Sequence, residues 1–167
     1  MPFYNHLVRL RREIRYHLNM ADEAKSGSAS EIERDDLVRI SGLLIAAVER
    51  GLNATGTNFA ALFRAVRLQM ADDYPFLDPV VLDASAERFE YAGGEPTLSG
   101  GIAISAYITG LSEALRRVVN QVAIGANARR VRERVGLELA LLARKNGALA
   151  RSGFGVQLDR IAGTKVI

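Results

Sequence analysis

Proline stands at only four positions, Pro2, Pro75, Pro79 and Pro96. Inside a helix proline removes a backbone donor and clashes with the preceding turn. Two long stretches, 3–74 and 97–167, are therefore open to continuous helix, while the middle of the chain is not. Such a split favours a helical protein interrupted once.

Hydrophobic spacing fills both open stretches. Phe3, Leu7, Leu10, Ile14, His17 and Ala21 recur at alternating steps of four and three. At about 100° per residue this is a narrow stripe, and it predicts a helix from about 3 to 24. Ser30 and Glu33 form a capping box for a second helix through Leu37, Ile40, Leu44 and Val48, with Gly51 as a left-handed stop. Beyond "NATGT", Thr57 or Asn58 caps a helix carrying Phe59, Leu62, Phe63, Val66 and Met70.

The strongest pattern is Ile104, Ile108, Leu111, Leu115, Val118 and Val122. These residues share a coiled-coil-like seam about 80° wide. Small residues, Ala103, Ser105, Ala106, Thr109, Gly110 and Ser112, occupy the other faces of its first half, so neighbouring backbones can approach closely. Gly125 and Asn127 mark a stop and restart before a last helix with Val131, Val135, Leu139, Leu142 and Leu149. The tail "RSGFGVQLDRIAGTKVI" is glycine-broken but apolar enough to dock.

In the interrupted middle, Tyr74 and Asp78 precede prolines, which favours extended backbone. "ERFEYAGGEPTLS" then reads as a hairpin. Gly93 and Gly94 supply the positive φ angles of a type I′ turn, setting Phe89 opposite Leu98 and Tyr91 opposite Pro96. A lone hairpin is marginal in water, so its apolar face should lie against helices. The expected fold is mainly α: a bundle-like array of about five helices with one β-hairpin insertion over about residues 87–99, in a single helical domain spanning 1–167.

With 49% hydrophobic and 25% charged residues the composition excludes a disordered chain. The longest apolar run, Leu43 to Val48, falls far short of the roughly 18 residues a membrane helix needs. Arg9, Arg11, Arg12 and Arg15 interrupt the N-terminal apolar pattern, so no secretory core is recognisable there. Cysteine is absent, which removes disulfides and thiolate metal sites and fits a cytoplasmic protein without membrane contact.

Charge is unevenly spread. Residues 1–75 hold ten basic and ten acidic side chains, residues 76–112 one basic and five acidic, and residues 113–167 eleven basic and four acidic. The acidic middle and the basic end can attract each other within one fold or between copies.

Three short likenesses bear on chemistry. Leu98-Ser99-Gly100-Gly101 resembles the signature loop of ATP-binding-cassette ATPases, which presents backbone N–H groups to a phosphate. That loop serves a P-loop, and no G-x-x-x-x-G-K-[ST] occurs here; the glycine pair reads as a strand turning into a helix, with Ser99 as a possible cap. "NHLVRLRRE" resembles the phosphate-accepting box of histidine phosphotransfer helices, which implies His6 as acceptor, although Leu7 stands where an acidic residue is usual. Arg12 and His17 have the spacing of the HEPN-type ribonuclease motif, but Glu13 beside Arg12 would repel RNA. His6 and His17 lie roughly 16 Å apart along one helix and cannot share a metal. Asp72, Asp73, Asp78 and Asp83 match no calcium loop, so no metal or cofactor is expected.

Arg129, Arg130, Arg134, Arg144 and Lys145 spread over one side of the last helix, opposite the Val131–Val135–Leu142 stripe. They form a surface for nucleic acid or an acidic partner, although Phe154 is the only aromatic nearby for base stacking. No catalytic set is recognisable. The leading expectation is a non-enzymatic cytosolic regulatory or scaffolding protein acting through homo-oligomerisation and an unidentified protein partner. Its expected oligomer interface is the seam Ile104, Ile108, Leu111, Leu115, Val118 and Val122. Histidine phosphotransfer at His6 and nucleic-acid binding by the basic helix are the alternatives.

Overall fold

The computed structural model describes residues 34–80 and 86–166. The helix expected over 3–24, the capping box at Ser30 and Glu33, and both histidines lie outside them.

Helix α1 (Arg34–Asn53) buries Leu37, Ile40, Leu44, Ile45, Ala47, Val48 and Leu52. The chain passes through Gly51 rather than stopping there. Gly51 is buried, and a Cβ on it would lie 2.8 Å from Val135 Cα, so the missing side chain serves a close helix–helix approach. Helix α2 (Phe59–Gln69) is capped as expected, with Asn58 Oδ1 accepting from Ala61 N at 3.1 Å. A 3₁₀ turn over Pro75–Leu77 then buries Phe76 and Leu77.

Strands β1 (Arg88–Ala92) and β2 (Glu95–Ser99) form the antiparallel hairpin, with Phe89 opposite Leu98 and Tyr91 opposite Pro96. Gly93 and Gly94 have φ of 62° and 86°, the conformation a type I′ turn requires. With a two-residue turn, alternate pairs exchange hydrogen bonds, and Tyr91–Pro96 falls in the set that does not. Proline therefore costs this ladder no donor. The hairpin packs against α1 and the 3₁₀ turn.

Helix α3 (Ile104–Val122) begins and ends at the limits its spacing predicts. Ser99 does not cap it: the cap position is Ala103, which contributes no side-chain bond, and Ser99 Oγ instead donates to Arg88 O at 3.3 Å. The expected last helix is two helices. Helix α4 (Ala128–Lys145) ends where Asn146 turns extended, and the Asn146 side chain then caps α5 (Gly147–Arg151), which carries Leu149. Phe154 and helix α6 (Leu158–Ala162) dock the tail.

The fold is mainly helical with one two-stranded hairpin. Helix α1 packs chiefly on α4, and α3 meets α2, α1 and α6. Tyr107 sits at the junction: its ring centroid lies about 6 Å from those of Phe76, Phe89 and Phe154, which come from the 3₁₀ turn, the hairpin and the tail. No helix among the described residues is long and apolar enough to cross a membrane.

Candidate functional site

The inner seam of α3 faces this chain's own core. Leu111, Leu115 and Val118 are fully buried, and Ile108 and Val122 pack against the same cluster. Only Ile104 stands at the surface, 37% exposed. A second copy could not reach the buried members without unfolding the first. Periodicity marked the right face of α3; the partners that fill it are α1, α2 and α6 of the same chain.

The basic set lies where the sequence put it, on the outer side of α4. Val131, Val135 and Leu139 turn inward. Arg129, Arg130, Arg144 and Lys145 are exposed and Arg134 is half-buried. Arg129 is engaged locally, bonding Glu133 at 2.6 Å one turn away. For Arg130, Arg134, Arg144 and Lys145, no carboxylate among the described residues lies within ion-pair distance. The remaining acid of the helix, Glu138, bonds Arg50 of α1 at 2.8 Å. Arg132 leaves this face altogether, donating to Asn120 Oδ1 at 3.0 Å.

Sequence spacing also overlooked two exposed leucines on this face. Leu137 is 60% exposed and Leu141 is 40% exposed, one turn apart, and both project on the same side as Arg130, Arg134, Arg144 and Lys145. Exposed apolar residues flanked by uncompensated cations make a surface suited to an acidic partner with some apolar contact.

Two further charged residues went unnoticed. Glu113 of α3 accepts from Arg116 at 2.6 Å and Arg117 at 3.0 Å, and Arg160 of α6 reaches it at 3.3 Å. The Arg116 hydrogen bond, joined by Arg117, holds its carboxyl well down, at about 2. The spacings of three and four residues were legible on a helix; the contact from Arg160 was not.

Arg67 of α2 is buried at 6% exposure between Phe63 and Phe89, its guanidinium carbon 5.7 Å and 5.0 Å from their ring centroids. Nε donates to Leu77 O at 3.0 Å and Nη2 to Phe89 O at 2.7 Å. Burial, and then the neighbouring Arg64 charge, lower its proton affinity. Its place one turn beyond Phe63, inside an apolar stripe, was the available clue.

Among the described residues no cluster of His, Asp and Glu could hold a metal. Asp72 and Asp73 are exposed and Asp78 half-buried, while Asp83 and His6 lie outside the described residues. The chain matches no protein-family model, no curated protein and no solved structure.

Proposed function

We propose that the chain is a non-enzymatic regulatory or scaffolding protein that works by self-association and protein–protein contact. One observation carries this reading: Leu137 and Leu141 are exposed amid Arg130, Arg134, Arg144 and Lys145 on the outer face of α4. The leucines supply apolar anchors, and the cations select an acidic surface. With the seam of α3 occupied from within, the interface moves to α4.

The partner is a second copy. Its hairpin region exposes Glu87, Glu90 and Glu95, in the segment where acidic residues outnumber basic ones by five to one. Two copies about a twofold axis make such a contact twice. A cytoplasmic location fits the absence of cysteine.

Light scattering at low and high salt tests this. The expected species is twice the 18.2 kDa chain, and Leu137→Ser with Leu141→Ser returns it to monomer without lowering helical content. A monomer under all conditions overturns the reading. Nucleic acid is the second reading, favoured by the same cations. It predicts a peak rich in 260 nm absorbance that salt strips away and that Arg130→Glu with Arg134→Glu abolishes.

A further inference from the structure

A cleft of about 460 Å³ lies between α2 and β1, walled by Phe63, Arg64 and Arg67 on the helix and by Arg88, Phe89 and Tyr91 on the strand. Small-molecule sites typically span roughly 300–1,000 Å³ and combine apolar walls with a few placed polar groups. Arg67 is the polar group here. Both of its hydrogen bonds go to neutral carbonyls, and a guanidinium has more N–H donors than these use.

No carboxylate among the described residues comes within ion-pair distance of Arg67. The two acids of the cleft are engaged elsewhere. Glu90 bonds Arg88 at 2.9 Å, and Asp78 Oδ1 accepts from Val80 N at 2.9 Å. Arg64, exposed and one turn earlier on α2, places a second cation at the rim. Asp78 and Glu90 offset the Arg67 charge only from a distance, and an anion bonded directly to the guanidinium would offset its burial further. Half-buried Tyr91, braced edge to face by the buried Phe63 with centroids 5.7 Å apart, offers aromatic surface beside the cations.

We propose that this cleft binds a small organic anion, its carboxylate or phosphate held by Arg64 and Arg67 and its flat body laid against Tyr91. The site lies away from α4 but shares β1 with the acidic hairpin region of the proposed contact between copies; it does not require that contact.

Amide ¹H–¹⁵N spectra titrated with benzoate and with phenyl phosphate test the proposal. At least one probe moves the amides of residues 63–67 and 88–91 saturably and leaves those of α4 in place. The tighter of the two identifies the anionic head, and inorganic phosphate binds more weakly than phenyl phosphate because it lacks the flat body. Arg64→Gln weakens binding about tenfold, the loss of one charge-assisted bond. Arg64 is the discriminating position because Arg67 also holds the loop, so Arg67→Lys tests folding as well as binding. Absence of saturable shifts with both probes, or affinity unchanged in Arg64→Gln, overturns the site.

Discussion

The hydroxyls of Ser41 and Tyr107 lie 2.6 Å apart in the buried contact between α1 and α3. Ser41 Oγ donates to Val38 O at 2.6 Å, so the Tyr107 hydroxyl is the donor to Ser41. One polar link thus crosses an apolar core at the ring that also joins the 3₁₀ turn, the hairpin and the tail.

Tyr107→Phe keeps the ring and leaves Ser41 bonded to Val38, so the loss is about 1 kcal/mol in urea denaturation. Tyr107→Ala also opens a cavity and costs about 3–5 kcal/mol. Burial pushes the Tyr107 hydroxyl up to about 12, against about 10 in an unfolded chain. A raised folded value means the native state holds the proton longer. That contribution is complete below about pH 10 and disappears as pH rises toward 12. Tyr107→Phe should flatten this part of the alkaline stability profile.

The Glu113 cluster acts at the other end of the pH scale. Its carboxyl is held near 2, first by the Arg116 hydrogen bond and then by that of Arg117. A depressed folded value means that stability is present above the unfolded value of about 4.3, and it is lost as pH falls toward 2. The arginines are partly solvated, so Glu113→Gln costs only about 1–2 kcal/mol at neutral pH. Thermal melts from neutral to strongly acid pH should show the wild-type advantage shrinking. Because Arg160 belongs to α6, hydrogen exchange in α6 should quicken in the variant.

Gly51 and Gly147 make a matched pair. Alanine at Gly51 drives its methyl to within 2.8 Å of Val135 Cα, a backbone atom that cannot rotate away. The strain, about 1–3 kcal/mol, exceeds the gain of about 1 kcal/mol from better helix propensity. At Gly147, in the first turn of α5, nothing lies within 4 Å of the added methyl. Gly147→Ala should be neutral or stabilise by up to about 1 kcal/mol, whereas Gly51→Ala destabilises. Equal melting temperatures for the two variants would contradict the packing account.

Much of this architecture was legible because particular residues leave the backbone few choices. Two glycines able to take positive φ fixed the hairpin turn, and the turn fixed the Phe89–Leu98 register. The limits of α3 followed from a spacing that starts at Ile104 and ends at Val122. What spacing does not carry is the identity of the partner. The seam of α3 looks the same whether it meets another copy or α1 of its own chain. For the same reason Gly51 reads equally well as a stop or as a contact, and only the neighbouring Val135 distinguishes them. Leu137 and Leu141 were hidden among apolar residues until burial separated inner from outer positions, and Arg67 needed the loop carbonyls that it binds.

Ser112 provides a last test, of a group that makes no visible contribution. It stands on α3 at 3% exposure, and its Oγ is the one fully buried side-chain polar atom without a hydrogen-bond partner among the described residues. A hydroxyl taken from water and left unpaired costs about 1–3 kcal/mol. Ser112→Ala removes that penalty and leaves only a small void, while alanine also suits the helix better than serine. The variant should be more stable by about 1 kcal/mol, read as a higher urea midpoint with unchanged slope. Destabilisation instead would mean that the hydroxyl has a partner in solution, such as an ordered water bridging it to a backbone carbonyl. Ser112→Cys would then separate the cases, since its thiol fills nearly the same space and is a much weaker hydrogen-bond partner for the water.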